Sequence, residues 1–344
     1  MRKNSRSMRG MGSKRERTIR VDDETPLDDF FKPKDLLNNR WEVENKISSG
    51  AFGQVYKVVD TNTGLKAALK AEMSEPLYKA QLPLELKIMK LLQGHTHAPQ
   101  IYAAGVLNKR HNFIVMQLLG RSLNDLRRQC PEDNKRFSRS TSVRLAKQCL
   151  DAIKSVHKIN FLHRDIKPSN YVMGLPDSSQ KDVVFLLDYG LSRTFVDEKG
   201  HHRRERPTAG FRGTLKYASI ASHKRKDLGR RDDLIMHFYM TYEFYVGQLP
   251  WRKLTTHEAV CESKEAHPIS VMVKEIGEKE YIRYVDHLQS LKFDDKPDFE
   301  LLINYCDKVM KRRKFDDSMD WDWDNEFKLL KEQDSSRNEE EDED

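Results

Sequence analysis

The run His163-Arg164-Asp165-Ile166-Lys167-Pro168-Ser169-Asn170, followed by Asp188-Tyr189-Gly190, constrains this chain more than any other stretch. It spaces an acid, a lysine, an amide and a second acid as phosphoryl transfer requires. That chemistry rests on positioning and on neutralising the charge of the migrating group. Asp165 can accept a hydroxyl proton there, while Asn170 and Asp188 offer oxygens to magnesium. Three polar residues in a row would be an ordinary surface turn. Eight in this order, with a metal-type acid 23 residues after Asp165, point to a site.

The preceding segment supplies the matching context. Residues 43–56 read as strand, turn and strand with Gly50 and Gly53 in the turn, and glycine lets a backbone approach phosphates closely. Alone, this is as readily an ordinary glycine hairpin. Ala67-Ala68-Leu69-Lys70 reads as a short apolar strand ending in one lysine. Glu85 follows in a helix whose Leu84, Ile88, Leu91 and Leu92 are expected to share an apolar face, with Glu85 beside it. Glu85 can then pair with Lys70 and aim it at the α- and β-phosphates of a nucleotide.

With Met116-Gln117-Leu118-Leu119-Gly120, Gly210-Phe211-Arg212-Gly213-Thr214, Tyr217-Ala218-Ser219-Ile220, Arg231-Asp232-Asp233-Leu234, residues 247–253 and Asp322-Trp323, the chain resembles a eukaryotic protein kinase. More narrowly it resembles the casein kinase 1 family, and the tau-tubulin kinase branch most. The likeness covers residues 40–324. It implies an α+β, bilobal fold: a β-rich N-lobe at 40–117 with one regulatory helix, and a mainly helical C-lobe at 118–325. It also implies a serine/threonine kinase using ATP and Mg2+. Ile47, Ser48, Gly50, Gly53, Val55, Ala68, Lys70, Glu85, Met116, Gln117, Leu118 and Asp188 would then bind the nucleotide. Met116 would guard the back of the pocket, and backbone groups of Gln117 and Leu118 would meet adenine. Lys167 would neutralise the γ-phosphate, and the Thr214 hydroxyl would bridge Asp165 and Lys167. Asp233 would anchor the catalytic loop, alongside a plain role as helix N-cap.

Length and composition agree with this reading. A chain of 344 residues, 38% hydrophobic, suits one large two-lobed domain with tails. No apolar run approaches the roughly 20 residues of a membrane helix. The N-terminus lacks an apolar signal core, and Arg2 stands where myristoylation needs glycine. Four cysteines without metal-type spacing read as reduced thiols, mostly in helices. A cytoplasmic monomer is expected, reaching the nucleus if Lys14-Arg15-Glu16-Arg17 or Lys311-Arg312-Arg313-Lys314 acts as an import signal. Solvated charge is the plainer reading of both runs. Residues 1–39 and 326–344 are expected to be mostly disordered, the first basic and the second acidic.

Thr141 or Ser142 is expected to cap a helix with Ala146, Cys149, Leu150, Ile153 and Val156 as its apolar stripe. Residues 234–246 read as a central buried helix. The net charge of +7 resides mainly in the folded region, since the two tails nearly cancel. Basic residues crowd the segment from His201 to Arg231, which points to acidic or already phosphorylated protein substrates, and the resemblance implies cytoskeleton-associated ones among them. Arg212 and Lys216 are the candidates to hold that anion, and the same cluster could recruit a solution anion in place of an activating phosphate. Three residues depart from the family: Ser48 for a glycine, Tyr189 for a phenylalanine, and Ala221 for an asparagine. The rivals are a catalytically silent binding scaffold of the same fold and a nucleic-acid binder. The basic clusters lack interleaved aromatic stacking residues, which disfavours specific nucleic-acid recognition.

Overall fold

The structure, a computed structural model, describes residues 28–50, 53–74, 81–130 and 135–324. Lys14-Arg15-Glu16-Arg17 and the acidic tail from Glu339 to Asp344 lie outside the described residues. The N-terminal part is an antiparallel sheet ordered β1-β2-β3-β4-β6-β5. Its strands are β1 (Leu36–Leu37), β2 (Trp41–Ser49), β3 (Gly53–Asp60), β4 (Lys66–Met73), β5 (Ile101–Leu107) and β6 (His111–Gln117). Alternation along the strands decides which residues face where. Ala67, Leu69 and Ala71 of β4 join Trp41, Tyr56, Val58 and Phe113 in an outer cluster. Ala68 points to the other face, with Ile114 and Met116.

Against that second face lies α1 (Leu82–Leu91), with Leu82, Glu85, Ile88 and Met89 buried. The expected apolar face is therefore turned by part of a rotation. Leu91 is 50% exposed, and Glu85 sits within the buried stripe rather than beside it. Positions 82, 85, 88, 89 and 92 also share a helical face, and packing on the sheet selects that face and carries the acid inward.

Residues 28–39, expected to belong to a disordered extension, pack on the domain instead. Phe31 is 5% exposed in the outer cluster. Its N–H donates to Tyr56 Oη (3.2 Å), and Phe30 N–H donates to Gln54 Oε1 (2.9 Å). One aromatic side chain with a sheet face to bury against outweighs the polar character of its neighbours. The boundary expected at 40 moves back at least to Asp28.

The larger part is helical: α2 (Leu123–Arg128), α3 (Arg139–Lys158), α4 (Ile220–His223), α5 (Arg230–Val246), α6 (His257–Ala266), α7 (Ile269–Ile276), α8 (Lys279–Ser290) and α9 (Phe299–Arg313). The stripe from Ala146 to Val156 is buried as expected. The cap of α3 is Ser138, whose Oγ accepts from Thr141 N (3.1 Å). Thr141 and Ser142 lie inside the first turn, and Thr141 Oγ1 donates to Asp322 Oδ1 (2.9 Å). That bond, with the stacked Trp321 and Trp323 rings (5.2 Å), closes the C-terminal segment on α3. Arg312 pairs with Glu278 and Glu280, and Arg313 with Glu278 (3.1 Å). Two of the four basic residues at the end of α9 are thus ion-paired. Among the described residues no helix is long and apolar enough to cross a membrane, and all four cysteines are free thiols.

Candidate functional site

Short strands between the lobes hold the catalytic loop. The loop runs between β7 (Phe161–Leu162) and β8 (Tyr171–Met173), and β8 pairs with β9 (Val184–Leu186), which delivers Asp188. Leu187 N donates to Asn170 O (2.8 Å), so the two metal-type residues are tied by the backbone beside them. Asp233 fixes the loop from below. It accepts from His163 N (2.9 Å), Arg164 N (2.8 Å) and His157 Nε2 (2.8 Å). It does not cap α5. The start of α5 is closed by Asp232, whose Oδ2 accepts from Gly229 N (2.8 Å).

The reactive groups converge on Asp165. Thr214 Oγ1 donates to its Oδ1 (2.8 Å), and Lys167 Nζ stands 2.6 Å from its Oδ2. Lys167 also donates to Thr214 Oγ1 (3.0 Å), which closes the expected bridge. Asn170 Nδ2 donates to Asp165 O (2.9 Å), leaving Asn170 Oδ1 as the amide's acceptor face. Thr214 reaches this position because Gly213 has φ +101°, and a Cβ there would sit 2.9 Å from Arg164 O.

Across the cleft, Lys70 Nζ pairs with Glu85 Oε2 (2.6 Å) and lies 3.4 Å from Asp188 Oδ1. Burial opposes a charge on Lys70, but Glu85 and Asp188 outweigh it and raise its pKa. Burial likewise opposes a charge on Asp188, and Lys70, His163 and Lys167 outweigh it and keep the carboxylate ionised. Val55 lies across from Lys70, and Ala68 across from Met116, so the strand pairing puts these expected lining residues on one sheet face. Ile47 is 50% exposed in the irregular stretch of β2, and Ser48 pairs with Val55. Gly50 N donates to Gly53 O (2.9 Å) and closes the turn.

At the hinge, Gln117 N–H donates to Gln100 O (2.8 Å), so of its backbone groups only the carbonyl is left for a ligand. The backbone of Leu118 and Leu119 makes no hydrogen bond among the described residues. Tyr189, an expected weak point, is satisfied: its buried hydroxyl donates to Leu186 O (2.8 Å).

Lys216 also departs from expectation, because it is not a free cation. Its Nζ lies 2.5 Å from Glu243 Oε1, and Arg127 shares the same oxygen at 3.4 Å. The buried Glu243 draws both cations toward itself. Arg212 stays unmatched by any carboxylate among the described residues, its Nη1 donating to Phe211 O (2.8 Å). Arg164 is bonded to Leu191 O (2.7 Å) rather than to an acid. Burial, then the charges of Arg212 and Arg193, pull its pKa down to about 10. Positive charge therefore outweighs that of Asp233 and Asp227 around Arg164 and Arg212.

Sequence reasoning missed Asp227. It accepts from Arg193 Nη1 (2.9 Å), of β10 (Arg193–Thr194), and from Arg206 Nη2 (2.8 Å) and Nε (2.9 Å). One carboxylate thereby ties two points of the segment after Asp188, and only the surplus of arginines there hinted at an internal partner. Ala221 leaves that segment firm as well. Ser219 caps α4 and its Oγ donates to Asp232 Oδ1 (2.7 Å), linking α4 to α5.

The two-lobed fold and this cleft define a class of protein, and comparison with known proteins agrees. Residues 41–331 match the protein kinase domain, and the chain belongs to the protein kinase family. It is also 36% identical over 293 residues to a probable serine/threonine-protein kinase of Dictyostelium discoideum, an alignment that takes in 85% of this chain. The chain spans 58% of that relative's length.

Proposed function

We propose that the protein is a serine/threonine protein kinase of the casein kinase 1 family, nearest the tau-tubulin kinase branch. The observation that carries this reading is the closed triangle of Asp165, Lys167 and Thr214 facing an intact Lys70–Glu85 pair. The residues present fit ATP and magnesium. Asp188 is ionised and partly exposed, Asn170 presents an amide oxygen, and hard oxygen donors suit magnesium. When bound, ATP would supply the phosphoryl group and magnesium would offset the charge of its oxygens.

Each residue then has a task. Lys70, oriented by Glu85, meets the inner phosphates. Asn170 and Asp188 hold the metal. Asp165 takes the proton of the substrate hydroxyl, while Thr214 and Lys167 fix the orientation of its carboxylate. Lys167 offsets charge on the transferred group. The lysine two residues after Asp165 supports a serine or threonine acceptor. Surplus positive charge around Arg212 and Arg164 favours substrates with an acid or phosphate near the acceptor, with Lys216 contributing little because Glu243 holds it.

The test is phosphate transfer from labelled ATP to a casein-like protein and to peptides with and without flanking acids. Asp165→Asn is expected to lower turnover roughly 10²–10⁴-fold while nucleotide binding persists. Nucleotide binding without transfer by the unaltered chain would favour the scaffold reading. Equal rates on acidic and neutral peptides would remove the substrate preference alone.

A further inference from the structure

Lys264 lies on α6, outside the cleft, and is completely buried. A buried ammonium is costly unless its donors are met, and here they are met without any carboxylate. Its Nζ donates to Leu215 O (2.9 Å) and Ala218 O (2.6 Å) and stands 3.0 Å from His223 Nε2. An ammonium has three N–H bonds, and three acceptors surround this one. The rings of Trp251 (5.1 Å) and Tyr239 (5.3 Å) complete its surroundings.

Two of those acceptors belong to the turn that follows Thr214. Tyr217 N (2.9 Å) and Ala218 N (2.8 Å) both donate to Thr214 O, and Trp251 Nε1 holds Lys216 O (2.7 Å). The carbonyls of Leu215 and Ala218 are therefore pinned from α6 and that of Lys216 from Trp251, and the turn so held begins at Thr214, which is bonded to Asp165. Packing alone does not call for a lysine here, since methionine would fill a similar volume. Its donors reach this one segment and His223.

We infer that Lys264 is a positioning residue for the protein substrate: it holds residues 215–218 in the shape against which the acceptor segment is laid. The inference rests on the kinase reading and adds a residue remote from ATP. Burial pulls Lys264 down to about 7, and burial with the charges of Lys264 and His257 takes His223 to about 4. His223 is thus neutral, able to accept from an ammonium or donate to an amine. Both carbonyls keep an N–H in either state.

The experiment measures the KM for peptide and for ATP separately, in the full chain. Lys264→Met is expected to raise peptide KM roughly tenfold, as loss of donors to buried carbonyls implies. ATP KM and the slow hydrolysis of ATP by water should stay within about twofold. Lys264→Arg, which keeps donors, should recover part of the peptide affinity. An unchanged peptide KM, or equal losses for peptide and ATP, overturns the inference. Should Lys264→Met fail to fold, His223→Leu decides: a rise confined to peptide KM supports the inference, and no rise overturns it. Absence of transfer by the unaltered chain would instead sink the kinase reading.

Discussion

At the scale of single residues, the two lid glycines are not equivalent. A Cβ on Gly53 would lie 2.4 Å from Ala71 O, whereas a Cβ on Gly50 meets nothing within 4 Å. Gly53→Ala is therefore expected to destabilise the N-lobe by about 1–3 kcal/mol. Gly50→Ala should stay within about 0.5 kcal/mol. Thermal denaturation of both variants checks this, and similar losses would show that backbone crowding is not the cause. The sequence placed both glycines in one turn but could not rank them, because the crowding atom belongs to a different strand. The same limit governs Lys216 and Glu243. They are 27 positions apart, and only folding puts one against the other. Asp165, Lys167 and Asn170 were legible because their spacing lies within one loop.

Among elements, α5 serves as the post to which others are tied. His237 joins it to α3 through Ala146 O (2.9 Å) and to α8 through Tyr284 Oη (2.9 Å). Burial lowers this imidazole from 6.5 to about 4. The unfolded chain takes up the proton near 6.5 and the folded chain only near 4, so stability falls as pH drops through that interval. The expected loss is about 3 kcal/mol at most. Denaturant melts between pH 4 and 7 measure it, and His237→Gln should make the profile shallower, His223 contributing a remainder of the same sign. Asp227 works at the same scale by tying β10 and Arg206 together. Asp227→Asn is expected to lower peptide turnover about tenfold, the equivalent of one charge-assisted hydrogen bond, with partial recovery in millimolar sulfate. Full activity without sulfate would mean that the segment orders itself by other contacts. Three helices, α1, α3 and α5, were legible from apolar spacing. The cap of α3 was not, because two hydroxyl residues a few positions on offered the same local chemistry as Ser138.

For the whole molecule, the extent of the domain is set by packing rather than by composition. Phe31→Ala is expected to cost about 3 kcal/mol, and a chain begun at residue 40 should melt at a lower temperature than one begun at 28. Equal melting temperatures would show that the segment rests on the domain without supporting it. The sequence by itself determined the order of the chemical groups, because the catalytic loop is a local pattern, and the two-lobed fold followed from the family resemblance that its motifs carry. Tertiary structure alone decided which charges are free and which are paired. Arg212 is open while Lys216, Arg193 and Arg206 are matched. It also decided that Lys264 grips the turn after Thr214. The physical reason is that the electrostatics and hydrogen bonding of a buried group depend on atoms far away in the chain, and chain separation carries no record of distance in space.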